Sequence, residues 1–229
     1  MENVDQPLVL AGLKYHIHIG TKNKSFVTTS NILAEKGIKN SRFMLALKDK
    51  DLANIDPFDE NLSDEMKARI LAEIIANPWY FLREVVRVPV TGGVVPYALH
   101  LGNLFLTWCM LSNINTYLVL PRQNYKTVSA CAIYCWMYNF GTKNSHILFF
   151  NKELKDSQNN LKRVKDLTDE LPKWLQNDGL IIDPINDRTA IEYIYSSYRN
   201  NRIDPKPAGK DLSHADKLGN ELQYAVNTA

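Results

Sequence analysis

Lys126 and Thr127 are the residues of this chain whose types and setting best suit phosphate chemistry. They follow the hydrophobic run "YLVL" (117–120) and precede a helix-like stretch, which is the layout of a phosphate-binding loop. In such a loop, lysine places a cation beside the outer phosphates and the next hydroxyl ligates magnesium. The pattern G-x-x-x-x-G-K-[ST] lacks both glycines here, since Leu120 and Tyr125 occupy their positions. On these residues alone, a nucleotide site and an ordinary strand-to-helix turn both remain open.

Strands and helices on both sides of this loop are required to position it. The segment "TYLVL" (116–120) predicts a central strand, and a helix is expected over about 127–140. "SHILFF" (145–150) predicts a second buried strand, and apolar residues at helical spacing predict a long amphipathic helix over 152–171. Strand, helix, strand and helix in this order favour a parallel sheet with crossover helices.

The residues before the loop contain clear turn and capping signals. "NIDPFDENLSDE" (54–65) is rich in turn residues and predicts a boundary near residue 60. Ser63 is expected to cap a helix through "DEMKARILAEIIA", because its hydroxyl can accept from a first-turn amide. Three further elements are expected: a short helix over 79–90, a turn at Gly92 and Gly93, and a mostly buried helix over 97–113.

A basic, turn-rich stretch lies near the C-terminal end of the sequence. Residues 191–209 alternate as a β-hairpin does, and "ELQYAV" (221–226) predicts a last strand. Residues 199–210 contain four cations with only Asp204 to oppose them, so these cations are candidates to contact the phosphates of a nucleic acid: Arg199, Arg202, Lys206 and Lys210.

Composition limits the classes of protein to consider. Hydrophobic residues make up 45% of the 229 residues and the formal net charge is +2, which is typical of a globular chain that folds around a core. The N-terminus carries acidic residues where a signal peptide carries basic ones, and no segment predicts a membrane helix. His16 and His18 lack further ligands at matching spacing, and three cysteines are expected to be buried thiols: Cys109, Cys131 and Cys135.

The segment "PRQNYKT" (121–127) resembles the deviant Walker A loop of large terminase subunits, the DNA-packaging motors of tailed phages. In that loop an Arg-Gln pair precedes one residue, a glycine and Lys-Thr or Lys-Ser, so Arg122 and Gln123 match and Tyr125 departs from the pattern. The resemblance covers about residues 76–229 and includes four further segments: "NPWYFLREVVRVP", "YALHLGNLFLTW", "SHILFFNKELKDSQNNLKRVKDLTDELPKWL" and "HADKLGN".

The resemblance implies an ATPase domain with an α/β fold, a P-loop NTPase-type and mostly parallel sheet flanked by helices. It would occupy residues 61–229 after an N-terminal lead-in region at 1–60, without the nuclease half of such proteins. ATP and Mg²⁺ are the implied cofactors. The implied partners are double-stranded DNA, the portal protein and the small terminase subunit, with a ring assembled on the capsid. The implied location is the host cytoplasm, transiently at the procapsid portal.

Residue roles follow from the same resemblance. Lys126 would contact phosphates, Thr127 would ligate Mg²⁺, and Arg122 would act on the γ-phosphate. The loop as a whole would surround the nucleotide through Pro121, Arg122, Gln123, Asn124, Tyr125, Lys126 and Thr127. The adenine pocket would involve the "YALHLGN" stretch, where His100 or Asn103 could read the base edge, although a buried or capping role is the ordinary alternative for both.

The carboxylates that hydrolysis requires are not at their expected place. The family ends its next catalytic strand in Asp-Glu, whereas "LQYAV" is followed by Asn227 and Thr228. Glu192 and Glu221 are other acidic residues nearby, but a hairpin surface and a strand start do not suit the role. Either the site is weakened or the acidic pair lies in a continuation of the chain. A degenerate, non-catalytic P-loop module for assembly or DNA binding, and a helicase-like ATPase, are the alternatives.

Overall fold

The computed structural model of the chain describes residues 8–10, 13–117, 119, 125–176, 192–207 and 224–227. By its internal contacts the chain divides into two compact units. Unit 1 is Met1–Lys126 and unit 2 is Thr127–Ala229, so the residues on both sides of position 60 belong to unit 1.

Unit 1 begins with a small antiparallel sheet. Its strands are β1 (Leu8–Leu10), β2 (Leu13–Ile17) and β3 (Ala46–Leu47), in the order β1-β2-β3. Helix α1 (Lys24–Glu35) lies between β2 and β3 in sequence, and two 3₁₀ turns, Phe43–Leu45 and Lys50–Asn54, flank β3. Phe26, Met44 and Leu45 are buried and belong to the core of this unit.

The helix that Ser63 was expected to cap is confirmed as α2 (Asp64–Ala76). The Ser63 hydroxyl accepts a hydrogen bond from the Met66 amide at 3.2 Å. Asn77 ends α2, and its side-chain oxygen caps the next short helix, α3 (Pro78–Tyr80). The break predicted at this point is therefore present, and its cause is the Asn-Pro pair.

The segment after α3 differs from the single short helix predicted over 79–90. A π-helical turn continues α3 through Phe81–Val85, and then the chain extends as β4 (Arg87–Val90). Strand β4 pairs with β5 (Gly93–Pro96) in a hairpin whose turn contains Gly92 at φ +92°. The glycine turn is confirmed, and it explains the error, because the hairpin requires residues 87–90 as a strand.

The last helix of unit 1 is α4 (Leu101–Leu111), shorter and less buried than predicted. Leu104 and Cys109 are buried, but Leu101, Phe105 and Trp108 are all more than two-fifths exposed. These three residues line a wide apolar groove of about 810 Å³ together with Phe43 and Trp79.

The predicted central strand "TYLVL" is not found in its described residues. Tyr117 and Val119 are outside any strand, and they are 94% and 79% exposed. Leu118 and Leu120 lie outside the described residues. High β-propensity alone did not place Tyr117 and Val119 in a sheet, because a strand also requires a paired neighbour.

Unit 2 contains the predicted alternation of helices and strands. Helix α5 (Lys126–Trp136) starts at the last residue of unit 1 and continues as a π-helical turn over Met137–Gly141. The elements that follow are β6 (His146–Asn151), α6 (Leu154–Asp169), α7 (Lys173–Gln176), β7 (Ile194–Ser196), β8 (Asn201–Pro207) and β9 (Tyr224–Asn227). The long amphipathic helix is confirmed, with Leu161, Val164 and Leu167 buried.

The sheet of unit 2 has the order β7-β8-β6-β9. Strand β6 pairs in parallel with both β8 and β9, while β7 and β8 form the predicted antiparallel hairpin. The α/β class is therefore confirmed, with mixed strand orientation in this sheet.

The core of unit 2 lies where α5 and α6 pack together and against the sheet. Tyr134 of α5 contacts Phe149 of β6 edge to face, with ring centroids 5.2 Å apart. Cys131 and Cys135 are buried against α6, and burial raises the pKa of their thiols to about 12 and about 11. At the end of the π turn, Gly141 approaches Trp136 so closely that an added Cβ would meet the indole ring at 2.5 Å.

Candidate functional site

The start of α5 is where the sequence predicted phosphate binding. Lys126 is the first residue of α5, and both Lys126 and Thr127 are half-buried. The preceding residues, Pro121 to Asn124, lie outside the described residues. The predicted role of Arg122 therefore stays a prediction. Amides in the first turn of a helix have no partner in the preceding turn, and together with the helix dipole they favour an anion.

Tyr125 has the left-handed backbone that the phosphate-loop pattern requires at its second glycine. Its φ is +52°, and its side chain is about half exposed. A non-glycine residue in this conformation costs about 1–2 kcal/mol, so the local structure maintains it against an intrinsic preference. The backbone at this position therefore behaves as a glycine would, although the residue is aromatic.

His100 and Asn103, the predicted base-reading residues, form the N-terminal cap of α4. His100 Nδ1 accepts from the Gly102 amide at 3.1 Å, and Asn103 Oδ1 accepts from the His100 amide at 2.8 Å. Asn103 is fully buried, and its Nδ2 donates to the Ala98 carbonyl at 2.9 Å. The ordinary capping role thus accounts for most of their polar atoms. The His100 ring nevertheless contacts the Tyr125 ring, with centroids 5.9 Å apart.

The four cations predicted to contact nucleic acid do not share one environment. Arg199 Nη1 donates to the Phe140 carbonyl at 2.9 Å, and burial lowers the pKa of its guanidinium. Arg202 Nε lies 2.9 and 3.0 Å from the two oxygens of Asp204, and its guanidinium stacks over the Tyr193 ring. Lys206 is half-buried, and Lys210 lies outside the described residues. Both arginines therefore have structural partners within unit 2.

Asp204 is the most buried carboxylate of this hairpin, with an exposed fraction of 3%. Its Oδ2 also lies 2.7 Å from His146 Nε2 at the start of β6. Arg202 and His146 together supply donors to both oxygens of Asp204. The carboxylate is thereby satisfied within the sheet, and its partners explain how a charge can be buried there.

The alternative carboxylates do not form a metal centre in the described parts of the chain. Glu192 is an exposed residue in a bend before β7, as expected of a hairpin surface residue. Asn227 is the last residue of β9 and is paired in register with Phe150, while Glu221 and Thr228 lie outside the described residues. Across the residues that the structure describes, no group of three or more His, Cys, Asp or Glu side chains could hold a metal ion.

A second polar site lies entirely in unit 1 and was not expected from the sequence. It is a cavity of about 160 Å³, hereafter the unit 1 cavity, and its charged or titratable lining residues are His18, Lys22, Asp56, Arg83, Glu84 and Arg87. These residues are far apart in sequence, so no motif connects them. The one local signal is the Arg83-Glu84 pair inside the otherwise apolar segment "WYFLREVV", which places two charges where a core-facing helix has none.

Comparison of the chain with models of protein families and with curated proteins gave no match. Of the helices in the described ranges, none combines the length and the apolar character needed to cross a membrane.

Proposed function

We propose that this chain is the ATPase domain of a large terminase subunit of a tailed phage, coupling ATP binding and hydrolysis to movement of double-stranded DNA into a procapsid. The observation that supports this most is the left-handed backbone of Tyr125, directly before Lys126 and Thr127 at the start of α5. This conformation is the one for which phosphate loops use glycine. At Tyr125, the segment that resembles the terminase loop therefore has a left-handed backbone, although its sequence lacks the glycine that favours it.

The residues at the start of α5 fit a nucleotide phosphate. Lys126 would place its ammonium beside the phosphates, and Thr127 would offer its hydroxyl as a ligand of Mg²⁺. When bound, Mg²⁺ neutralises charge on the phosphate oxygens. The first-turn amides of α5 would donate to the same oxygens, and Arg122 would supply a planar fork of donors to the terminal phosphate.

The rate of hydrolysis is expected to be low in this chain. Asn227 ends β9 at the position where the resemblance implies an acidic residue. A neutral amide can accept a hydrogen bond from a metal-bound water, but it neither adds negative charge nor removes a proton from water. This observation favours a second candidate function, a non-catalytic P-loop module that binds nucleotide or DNA during assembly.

Binding of a fluorescent ATP analogue with Mg²⁺, followed by anisotropy, tests the proposal. The unmodified chain should bind, and Lys126→Ala should lose at least about tenfold in affinity, because one charge-assisted contact is worth about 1.5–3 kcal/mol. Tyr125→Gly should keep the affinity, since glycine adopts the same backbone without strain. Lys143→Ala, which removes an exposed lysine, is the matched control and should bind as the unmodified chain does.

Equal affinity of the Lys126→Ala variant would contradict the nucleotide site. Loss of binding in Tyr125→Gly would show that the aromatic ring, and not the backbone, supports the interaction. Turnover of ATP with Mg²⁺ then separates the two functions: measurable hydrolysis supports the motor, and tight binding without hydrolysis supports the non-catalytic module.

A further inference from the structure

The unit 1 cavity combines small size with a strongly polar lining. Its volume is about 160 Å³, which is room for several water molecules. The residues that form it come from the loop after β2, the turn over 53–57, and the chain between α3 and β5. It is therefore large enough for a small polyatomic ion.

Arg83 is the central donor of this cavity. Its side chain is fully buried, Nε donates to Glu84 Oε1 at 2.7 Å, and Nη1 donates to the Met44 carbonyl. Nη2 is also buried, and it has no hydrogen-bond partner among the described residues. A buried donor on a charged group that stays unpaired costs at least about 1–3 kcal/mol, so an acceptor at this place would stabilise the protein.

His18 adds a second incompletely satisfied group to the same lining. Its side chain is nine-tenths buried, and neither ring nitrogen makes an aligned hydrogen bond with a described residue. Nδ1 lies 3.5 Å from Glu84 Oε1, which is an electrostatic contact rather than a hydrogen bond. The imidazole thus retains the capacity to donate to a ligand in the cavity.

The carboxylates of the lining are already neutralised by protein groups. Asp56 accepts from Lys22 Nζ at 2.9 Å and from the Phe58 amide at 3.0 Å. Glu84 is paired with Arg83. Arg87 is the third cation, and its guanidinium lies 4.4 Å from the centroid of the Phe58 ring. With three cations and two carboxylates, the lining has an excess of positive charge even when His18 is neutral.

We propose that the unit 1 cavity binds a small oxyanion of the phosphate type, held by Arg83 Nη2, Arg87 and His18. A tetrahedral oxyanion offers acceptors in several directions, and guanidinium groups bind such oxygens with directed, charge-assisted hydrogen bonds. The ion would neutralise the excess positive charge and satisfy the buried Nη2. This site uses no residue of the segment 121–127, so it goes beyond the proposed ATPase function and does not depend on it.

Isothermal titration calorimetry with inorganic phosphate, on the full chain and at constant ionic strength set with chloride, tests this proposal. The Lys126→Ala chain serves as the background, so that phosphate at the start of α5 cannot contribute. Saturable binding with a dissociation constant of about 1 mM or tighter is expected. Adding Arg87→Gln should weaken it at least about tenfold, since one charge-assisted contact is lost. Adding Arg42→Gln, an arginine outside the cavity, is the matched control and should leave the constant unchanged.

The outcomes separate this site from the proposed nucleotide site. Equal phosphate affinity with and without Lys126→Ala supports the cavity, whereas binding that disappears with Lys126→Ala overturns it. No saturable binding, or full binding in the Arg87→Gln chain, also overturns it. A second titration with glycerol 3-phosphate identifies the source of the group: equal affinity indicates a phosphate monoester, and binding of inorganic phosphate alone indicates the free ion.

Discussion

Asn201 in unit 2 and Arg83 in unit 1 are both fully buried polar residues, yet their environments differ. The Asn201 side chain accepts from the amide and the hydroxyl of Ser145, and it donates to the carbonyls of Tyr138 and Thr142, at 2.8–3.0 Å. All its hydrogen-bonding capacity is used within unit 2. Arg83 instead retains an unpaired Nη2 beside a cavity. A saturated buried group indicates a role in folding, and an unsaturated one beside a cavity indicates a place for a ligand.

Asn201→Ala should have the largest effect on stability. It removes four hydrogen bonds, two of them to the carbonyls of residues 138 and 142 and one from the buried amide of residue 145. We expect the free energy of unfolding to fall by about 4 kcal/mol, measured by urea denaturation of the full chain. Lys155→Ala, on the exposed side of α6, should change it by less than about 0.5 kcal/mol. A small effect of Asn201→Ala would remove the distinction between the two sites.

Glu84 should make the stability of unit 1 depend on pH. Burial raises the pKa of Glu84, but contacts with His18 and Arg83 outweigh it and lower the pKa to about 2. Because this pKa lies below the ordinary value of 4.5, the carboxylate contributes stability that is complete above about pH 4.5 and is lost as the pH falls toward 2. The contribution is about 3 kcal/mol at neutral pH.

The Glu84→Gln variant should lack this pH dependence. Urea denaturation at several pH values between neutral and about 2 would measure it, with the exposed Glu35→Gln as the matched control. The same loss of stability toward low pH in Glu84→Gln as in the unmodified chain would mean that other carboxylates cause it.

Arg199→Lys should have the smallest effect and tests whether this arginine has a structural role in unit 2. Its Nη1 is paired with backbone carbonyls, although its buried Nε has no hydrogen-bond partner among the described residues. Lysine keeps the charge but cannot reproduce the contacts of the guanidinium with the carbonyls of Phe140 and Thr142. We expect a loss of about 1 kcal/mol in unfolding free energy and no change in affinity for duplex DNA, measured by anisotropy. The exposed Arg163→Lys is the control. Unchanged stability with weaker DNA binding would instead support the DNA contact predicted from the sequence.

The elements that the sequence predicts well are those with a local cause. Ser63 specifies the start of α2 with its own hydroxyl, Gly92 permits the turn of the β4–β5 hairpin, and the apolar residues of α6 recur at helical spacing. Tyr117 and Val119 are different, because whether they form a strand depends on a neighbouring strand elsewhere in the chain. Both are exposed and lie outside any strand. β-propensity describes the preference of a single residue for extended backbone, whereas a sheet also requires a second strand to pair with.

The two candidate sites also differ in whether their cause is local in the sequence or depends on tertiary packing. The left-handed backbone of Tyr125 was a condition that the loop pattern itself imposed, so the sequence identified the position to test. The lining of the unit 1 cavity comes from residues between His18 and Pro96, and their proximity depends on tertiary packing. Charge patterns in the sequence do not distinguish Arg83 from Arg199. Each has one buried nitrogen without a hydrogen-bond partner among the described residues, Nη2 in Arg83 and Nε in Arg199, but only Arg83 lines the cavity, because of where the fold places it.

The close approach of Gly141 to Trp136 has a consequence for natural variation at this position. Any side chain there would drive the indole outward and separate it from the backbone that now lies against it. A Cβ at position 141 is therefore compatible with this structure only if the side chain at position 136 moves or is smaller. Homologous chains should vary at these two positions together or at neither.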